Sequence, residues 1–260
     1  MKGAKLVFDE VCVPHNGSPE TTRALEVGAG LAGRSGADLR ILAYANPDDH
    51  TIVSKRFYDG VFDIGRRNGL TPHVTALESR RFLSDAIVGE LRVRPSSILC
   101  MASRGRDRSA VLLGSVTADV LTYGPGTAVL CGPKCEPDAL EREGPVIVAL
   151  DGEADTESVM AFVGRWVKPA GKEIELVESL PGDPVAAILS EIEATNASMI
   201  AMVSRVPIGV DRLLHGSVTD AVVRDSPVPV IAMRAHSPAL LETSSEEDDE
   251  LPFQVQILWM

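Results

Sequence analysis

One short sequence occurs twice in this chain and decides how the rest of it is divided. Met101-Ala-Ser-Arg-Gly105 is followed by Gly114-Ser-Val-Thr117, and Met202-Val-Ser-Arg205 is followed by Gly216-Ser-Val-Thr219. An internal repeat at this spacing is typical of a chain built from two related structural units. We therefore expect two domains.

The two copies differ in length. Asn16, in residues 11–17, aligns with Asp151, in residues 146–152, and these two positions are 135 residues apart. Gly114 and Gly216 are only 102 residues apart, so the second copy is shorter by 33 residues. A βαβ unit takes roughly 30 or more residues, so this is about one strand and one helix. We expect the loss of the second strand and the second helix, because residues 174–205 follow the pattern of residues 74–104.

The alternation of apolar runs and helical patterns predicts the fold class. The first copy has five predicted strands and four predicted helices, and the second has four and three. Strict alternation predicts an α/β fold, a parallel sheet with helices on both faces. We expect two tandem open-sheet domains of three αβα layers, over residues 1–141 and 142–236, joined by a linker at residues 133–145. The second domain is expected to lack about one βα unit.

Residues 237–260 form a tail of different composition. An acidic run at residues 246–250 is typical of a disordered segment. After it, Phe253, Val255 and Ile257 alternate with glutamines, which is the pattern of a strand. Three interpretations stay open: an added edge strand on the protein's own sheet, a docking peptide at residues 251–260 for a protein partner, or a flexible end.

Composition limits the classes of function. The formal net charge of −12 disfavours nucleic acid as a partner, because binding depends on Lys and Arg beside phosphates. No apolar run approaches the roughly 20 residues needed to span a membrane, and the first ten residues turn acidic before a signal-peptide core. We expect a cytoplasmic protein without a membrane partner. The four cysteines have neither zinc nor disulfide spacing, and we expect them to be small buried side chains.

The repeated loop has the features of an anion site. Ligands of open α/β sheets bind beyond the carboxyl ends of the strands, where Gly114, Ser115 and Asn16 are expected to meet. Gly114 leaves room for close backbone approach, and Ser115 offers a hydroxyl and a free N–H at the positive end of a helix. Serine is also a preferred helix cap, so a purely structural role stays open.

Each copy resembles a universal stress protein domain. The resemblance rests on an acidic or amide residue after the first strand and on a glycine-containing loop before Gly-Ser at the start of the last helix. It covers roughly residues 5–236, and it implies an adenine-nucleotide α-hydrolase-like fold that binds ATP, with or without Mg²⁺. The resemblance carries a set of nucleotide-binding positions in the first copy, namely Asn16, Ala43, Ala102, Arg104, Gly105, Gly114, Ser115 and Val116. The weaker equivalents in the second copy are Asp151, Gly216 and Ser217.

Departures from the family pattern favour the first copy. There, Ala102 stands for the first glycine and Asn16 for the usual aspartate. In the second copy Val203 and Val206 replace both early glycines, and β-branched side chains add bulk and resist a positive φ. We expect any ATP to bind in the first copy.

Three functions are compatible with the sequence. The first is an ATP-binding stress-response module, and the second is a scaffold that binds no nucleotide and acts through its tail and an intramolecular pseudo-dimer, or as a homodimer. The third is a hydrolase or nucleotidyl-transfer enzyme. His15 and His215 lie near the two loops without a triad, a metal cluster or a P-loop lysine, so we expect no catalysis beyond weak ATP hydrolysis.

Overall fold

The computed structural model describes residues 8–44, 54–77, 82–103, 115–124, 127–150, 156–167, 172–178, 183–204 and 218–234. Strands and helices alternate along these residues, with one short 3-10 turn at Ala139–Glu141. The strands are β1 (Glu10–His15), β2 (Asp38–Ala43), β3 (His73–Ala76), β4 (Ser97–Ala102), β5 (Thr127–Cys131), β6 (Val146–Leu150), β7 (Ile174–Glu178), β8 (Met199–Ser204) and β9 (Val230–Arg234). The helices are α1 (Pro19–Ser35), α2 (Lys55–Arg67), α3 (Leu83–Arg92), α4 (Ser115–Tyr123), α5 (Thr156–Val167), α6 (Pro184–Thr195) and α7 (Val218–Asp225).

Two helices begin as their sequence signals predict. The Ser18 hydroxyl accepts a hydrogen bond from the Thr21 N–H, and Pro19 occupies the first turn of α1. Asp183 accepts from the N–H groups of Val185 and Ala186 at the start of α6. A side-chain oxygen accepts hydrogen bonds from N–H groups that lack helical partners. Proline at the first helical position costs no helical hydrogen bond, because an N–H there would have no partner within the helix.

The nine strands that the structure describes belong to one sheet, in the order β3-β2-β1-β4-β5-β9-β8-β6-β7. Neighbouring strands run parallel except β5 and β9, which pair antiparallel from Thr127↔Met233 to Leu130↔Val230. This confirms the predicted α/β class with a large, mostly parallel open sheet. The strands of both copies thus share one continuous sheet, joined by the last strand of each copy.

The position of the missing unit differs from the prediction. β7 pairs directly with β6, from Val146↔Ile174 to Leu150↔Glu178, just as β2 pairs directly with β1. β7 therefore takes the position of a second strand, and the position without a counterpart among the described residues is that of the outer strand β3. The expectation that the second strand was lost is wrong in this respect, because sequence similarity does not fix which neighbour a strand pairs with.

Two apolar clusters form the core, one on each face of the sheet. Helices α1, α2 and α5 cover the first cluster, and α3, α4, α6 and α7 cover the second. A Cβ added at Gly28 would lie 2.6 Å from Val13 Cγ2 and 3.4 Å from Cys100 Cβ. This glycine lets α1 lie directly over β1 and β4.

The segment predicted as a linker packs against both copies. Cys135, Ala139 and Leu140 are buried. The Glu136 N–H donates to the carbonyl oxygen of Pro227 at 2.8 Å, and the Lys134 ammonium pairs with Asp225. The segment is part of the core rather than a loose connection.

The four cysteines are free and buried, as predicted. Burial raises the pKa of Cys12 to about 12. The Cys100 and Cys131 sulfur atoms lie 3.9 Å apart on adjacent strands. In the part of the chain that the structure describes, no helix is long and apolar enough to cross a membrane.

Candidate functional site

The candidate site lies at the carboxyl ends of β1 and β4, where the sheet has its switch point. The helices after β1 and β2 lie on one face, and α3 and α4, on either side of β4, lie on the other. In such sheets the crevice between the two diverging halves is the usual ligand site. The topology therefore points to the edge where β1 and β4 end.

The pairing of β1 with β4 stops before the strands end. β1 pairs with β2 as far as His15↔Ala43, but it pairs with β4 only from Glu10↔Ser97 to Cys12↔Leu99. The Tyr44 N–H donates to the His15 carbonyl at 3.1 Å, so the backbone of His15 faces β2 and that of Pro14 faces β4. Proline has no N–H to donate, so the ladder ends there. The two strands part at the carboxyl edge of the sheet.

Asn16 follows β1 directly, but its side-chain oxygen is committed to the start of α1. Asn16 Oδ1 accepts from the Ser18 N–H at 3.1 Å and from the Thr21 hydroxyl at 3.0 Å. The backbone donor fixes the orientation of the amide, since only the oxygen accepts. The group that a ligand could use is therefore the amide nitrogen, as a donor. Thr21 is a site residue that sequence reasoning missed, and its signal was its place in the first turn after the Ser18 cap.

The first turn of α4 is fastened to the end of β4 by a threonine. Thr117 is buried, and its hydroxyl donates to the carbonyl oxygens of Ala102 and Ser103, both at 3.3 Å. Ser115, two residues earlier, begins the helix and is exposed. This contact places the amino end of α4 at the carboxyl end of β4. Thr117 was also missed, although the repeated Gly-Ser-Val-Thr gave the signal.

The two helices that follow the repeated loops differ in charge at their amino ends. The first turn of α4 has no acidic residue, whereas α7 carries Asp220 in its first turn. Ala118 is the residue of α4 that aligns with Asp220. A carboxylate at this position neutralises part of the positive end of the helix dipole. The amino end of α4 is therefore the better of the two for an anion.

His15 lies in the core beside the site. It is 4% exposed, and its ring stacks on Phe57 of α2 with centroids 5.0 Å apart. Burial lowers the pKa of His15 to about 4, so the imidazole is neutral near pH 7. Its Nδ1 atom has no hydrogen-bond partner among the described residues. The structure gives this histidine a packing role.

The other predicted positions fall into two groups. Ala43 and Ala102 end β2 and β4 and are buried, and Val116 is partly buried against the second cluster. Val203, the counterpart of Ala102, packs against the first cluster. No group of three potential metal ligands occurs within the described ranges. Several predicted positions lie outside the described residues: Arg104, Gly105, Gly114, Asp151, Gly216 and Ser217.

Comparison with known proteins supports the interpretation of the fold. Residues 149–234 match the sequence profile of the Universal stress protein family. A universal stress protein from Archaeoglobus fulgidus DSM 4304 is similar in structure, with a TM-score of 0.65 and 18% identity over 87% of this chain and 98% of that one. No match was found among curated proteins.

Two Pseudomonas aeruginosa structures are also similar. A putative universal stress protein from strain UCBPP-PA14 has a TM-score of 0.57 and 12% identity, over 91% of this chain and 96% of that one. A protein of unknown function from strain PAO1 has a TM-score of 0.57 and 13% identity, over 92% of this chain and 98% of that one. At these identities the structures show the fold, and the profile match shows that residues 149–234 are similar in sequence to the Universal stress protein family.

Proposed function

We propose that this protein is a cytoplasmic regulatory module that binds an adenine nucleotide, ATP, in its first half during a stress response. The observation that carries the proposal is the early end of the β1–β4 ladder, at Cys12↔Leu99, beneath a helix whose first turn has no acidic residue. A crevice at a switch point with a positive helix end beside it suits a phosphate-bearing ligand.

The described residues suggest a division of roles. The first N–H groups of α4 and the Ser115 hydroxyl would bind phosphate oxygens, and Thr117 would hold that turn in position. The Asn16 amide nitrogen would donate to the ribose or the base. Ala43 and Ala102 would line the crevice without filling it. Arg104, Gly105, Gly114 and Val116 would complete the site, and Mg²⁺ would bind through the phosphates of the nucleotide.

The first half is favoured although the family profile matches the second. Val203 replaces Ala102 with a larger β-branched side chain, and Asp220 already compensates the amino end of α7. Both changes work against a bound phosphate, the first by bulk and the second by charge. We propose that Asp151, Gly216 and Ser217 form at most a weaker site.

Isothermal titration calorimetry with Mg-ATP on the full chain tests the proposal. Ala118→Asp introduces into α4 the carboxylate that α7 carries, and we expect it to weaken binding by roughly three- to thirtyfold. Asp220→Ala is the matched control and should leave the affinity unchanged, because it alters only the second half. Repeating the titration with a chelator separates binding of ATP from binding of Mg-ATP. Absence of heat at millimolar ATP, or loss of affinity in Asp220→Ala alone, would contradict the proposal.

One observation favours a second function, a scaffold that binds no nucleotide. Asn16 is the proposed contact to the base or ribose, but its side-chain oxygen already accepts hydrogen bonds within the chain, which leaves only its amide nitrogen for a ligand. In that case the protein would act through its surfaces and tail on a protein partner. Unchanged thermal stability in ATP, together with loss of partner capture when residues 251–260 are removed, would identify this function.

A further inference from the structure

β7 is the outermost strand at one edge of the sheet, and no described strand pairs with its outer side. The Val146 N–H donates to the Glu173 carbonyl at 2.8 Å, so the backbone polar groups of Glu173 face β6. In a parallel ladder, alternate residues then direct their N–H and C=O groups to opposite sides. Ile174 and Leu176 direct theirs away from β6. Such groups form a template for another strand.

Three of the five side chains of β7 are apolar, beside Glu175 and Glu178. Ile174, Leu176 and Val177 are only half-buried, each packed against the edge of one apolar cluster. In β2, which holds the equivalent position in the first half, Leu39 and Ile41 are at most 1% exposed; α1 contacts this strand, and β3 pairs with its outer side. Among the described residues, the apolar side chains of β7 are thus less covered than those of β2.

The opposite edge of the sheet is different. β3 is four residues long, and its two end residues, His73 and Ala76, are exposed. A short strand with exposed ends is the usual protection of an edge against further pairing. The open apolar edge is therefore a property of β7.

We propose that residues 253–258 of this same chain, Phe-Gln-Val-Gln-Ile-Leu, pair with the outer edge of β7 as a tenth strand. The pattern of this segment fits the site on both faces. Its alternating apolar residues, Phe253, Val255 and Ile257, would extend the cluster that Ile174 and Leu176 join, on the face that α5 alone covers among the described helices of the second half.

The other face of the segment is also complementary. The side chains of Gln254 and Gln256 would lie on the face of Glu175, whose pKa is raised by burial and by the nearby carboxylate of Glu191. Glutamine amides donate hydrogen bonds to carboxylates without adding negative charge. A neutral strand with donors is thus better suited to this edge than an acidic one.

The connection is long enough. From β9 to the position beyond β7 there are four strand spacings, about 19 Å at about 4.8 Å each. The 18 residues from 235 to 252 can span roughly 60 Å when extended. The segment can therefore reach the edge in either direction. The proposal is independent of nucleotide binding.

Amide hydrogen exchange in the full chain tests this pairing at Leu176. We expect its N–H to exchange at least about tenfold faster in Val255→Pro than in the unmodified chain, a factor that corresponds to about 1.4 kcal/mol. Proline removes an N–H and a strand conformation from the segment. Ser244→Pro, upstream of the segment, is the matched control and should leave the exchange of Leu176 unchanged. The Glu175 amide, which faces β6, reports whether the fold is intact.

Two results would overturn the proposal. If Leu176 exchanges fast in the unmodified chain while Glu175 is protected, nothing pairs with the edge. If the protection of Leu176 depends on protein concentration and survives Val255→Pro, the edge pairs with a second copy of the chain instead.

Discussion

The hydroxyl of Thr117 lies 3.3 Å from the carbonyl oxygen of Ala102, and this contact joins the start of α4 to the end of β4. The loop between these two elements is the repeated motif of the sequence. The same threonine recurs as Thr219, which is buried in the first turn of α7. The repeat therefore preserves a buried threonine at the start of the helix as well as a glycine and a serine.

Thr117→Val tests this attachment. Valine keeps the shape but removes the donor, and we expect unfolding free energy to fall by about 1 to 2 kcal/mol and ATP affinity to fall with it. Denaturant titration and calorimetry measure the two effects. Thr122→Val is the matched control, since its hydroxyl donates to the Ala118 carbonyl within α4. Equal losses in the two variants would argue against a special role for Thr117.

Gly132 should tolerate no side chain. A Cβ there would lie 1.7 Å from the carbonyl oxygen of Val223, which is backbone and cannot swing aside. We expect Gly132→Ala to cost about 3 kcal/mol or more. Gly89→Ala is the control: it lies in α3 with nothing within 4 Å of the added Cβ, and we expect a gain of up to about 1 kcal/mol. Chemical denaturation of both variants distinguishes local crowding from general sensitivity.

His15 should make stability depend on pH. Its pKa is lowered from 6.5 to about 4 by burial, so the unfolded chain binds more protons between these values. The part of the unfolding free energy that depends on a neutral His15 is therefore fully present above about pH 6.5. It falls by about 3 kcal/mol as the pH decreases toward 4. In His15→Phe, which keeps a ring against Phe57, this component should vanish. Unfolding curves of both proteins across this range give the difference, and identical slopes would contradict the prediction.

Glu10 joins two arginines at the amino end of β1. Its carboxylate lies 2.7 Å from Arg40 Nε and 3.6 Å from Arg94 Nε, and its side chain is 13% exposed. Glu10→Gln should cost about 1 to 3 kcal/mol, because hydrogen bonds to charged groups contribute this much. Asp63→Asn breaks the exposed pair with Arg66 and should change stability by less than about 0.5 kcal/mol. Thermal unfolding of the two variants makes the comparison.

The sequence predicted the secondary structure of this chain because its signals are local. Two helix starts are marked by Ser18 with Pro19 and by Asp183 with Pro184. Each capping hydrogen bond joins residues that are less than four positions apart in the sequence. Strand neighbours depend on contacts distant in sequence. The position of β7 beside β6 therefore came only from the structure.

The candidate site was predicted in outline only. The repeat indicated the strand ends and the start of α4. It did not indicate that the Asn16 oxygen bonds the Thr21 hydroxyl, because that contact depends on the turn between these two residues. Pro14 was the unused signal, since a proline inside a central strand indicates that its ladder stops there.

The antiparallel junction of β5 with β9 has a consequence for the two repeated loops. Because the direction of the strands reverses at that junction, the carboxyl ends of β1 and β4 and those of β6 and β8 emerge at opposite rims of the sheet. Ligands at the two loops would be separated by the full length of the strands. Communication between them would have to pass through the shared sheet rather than across a common cleft.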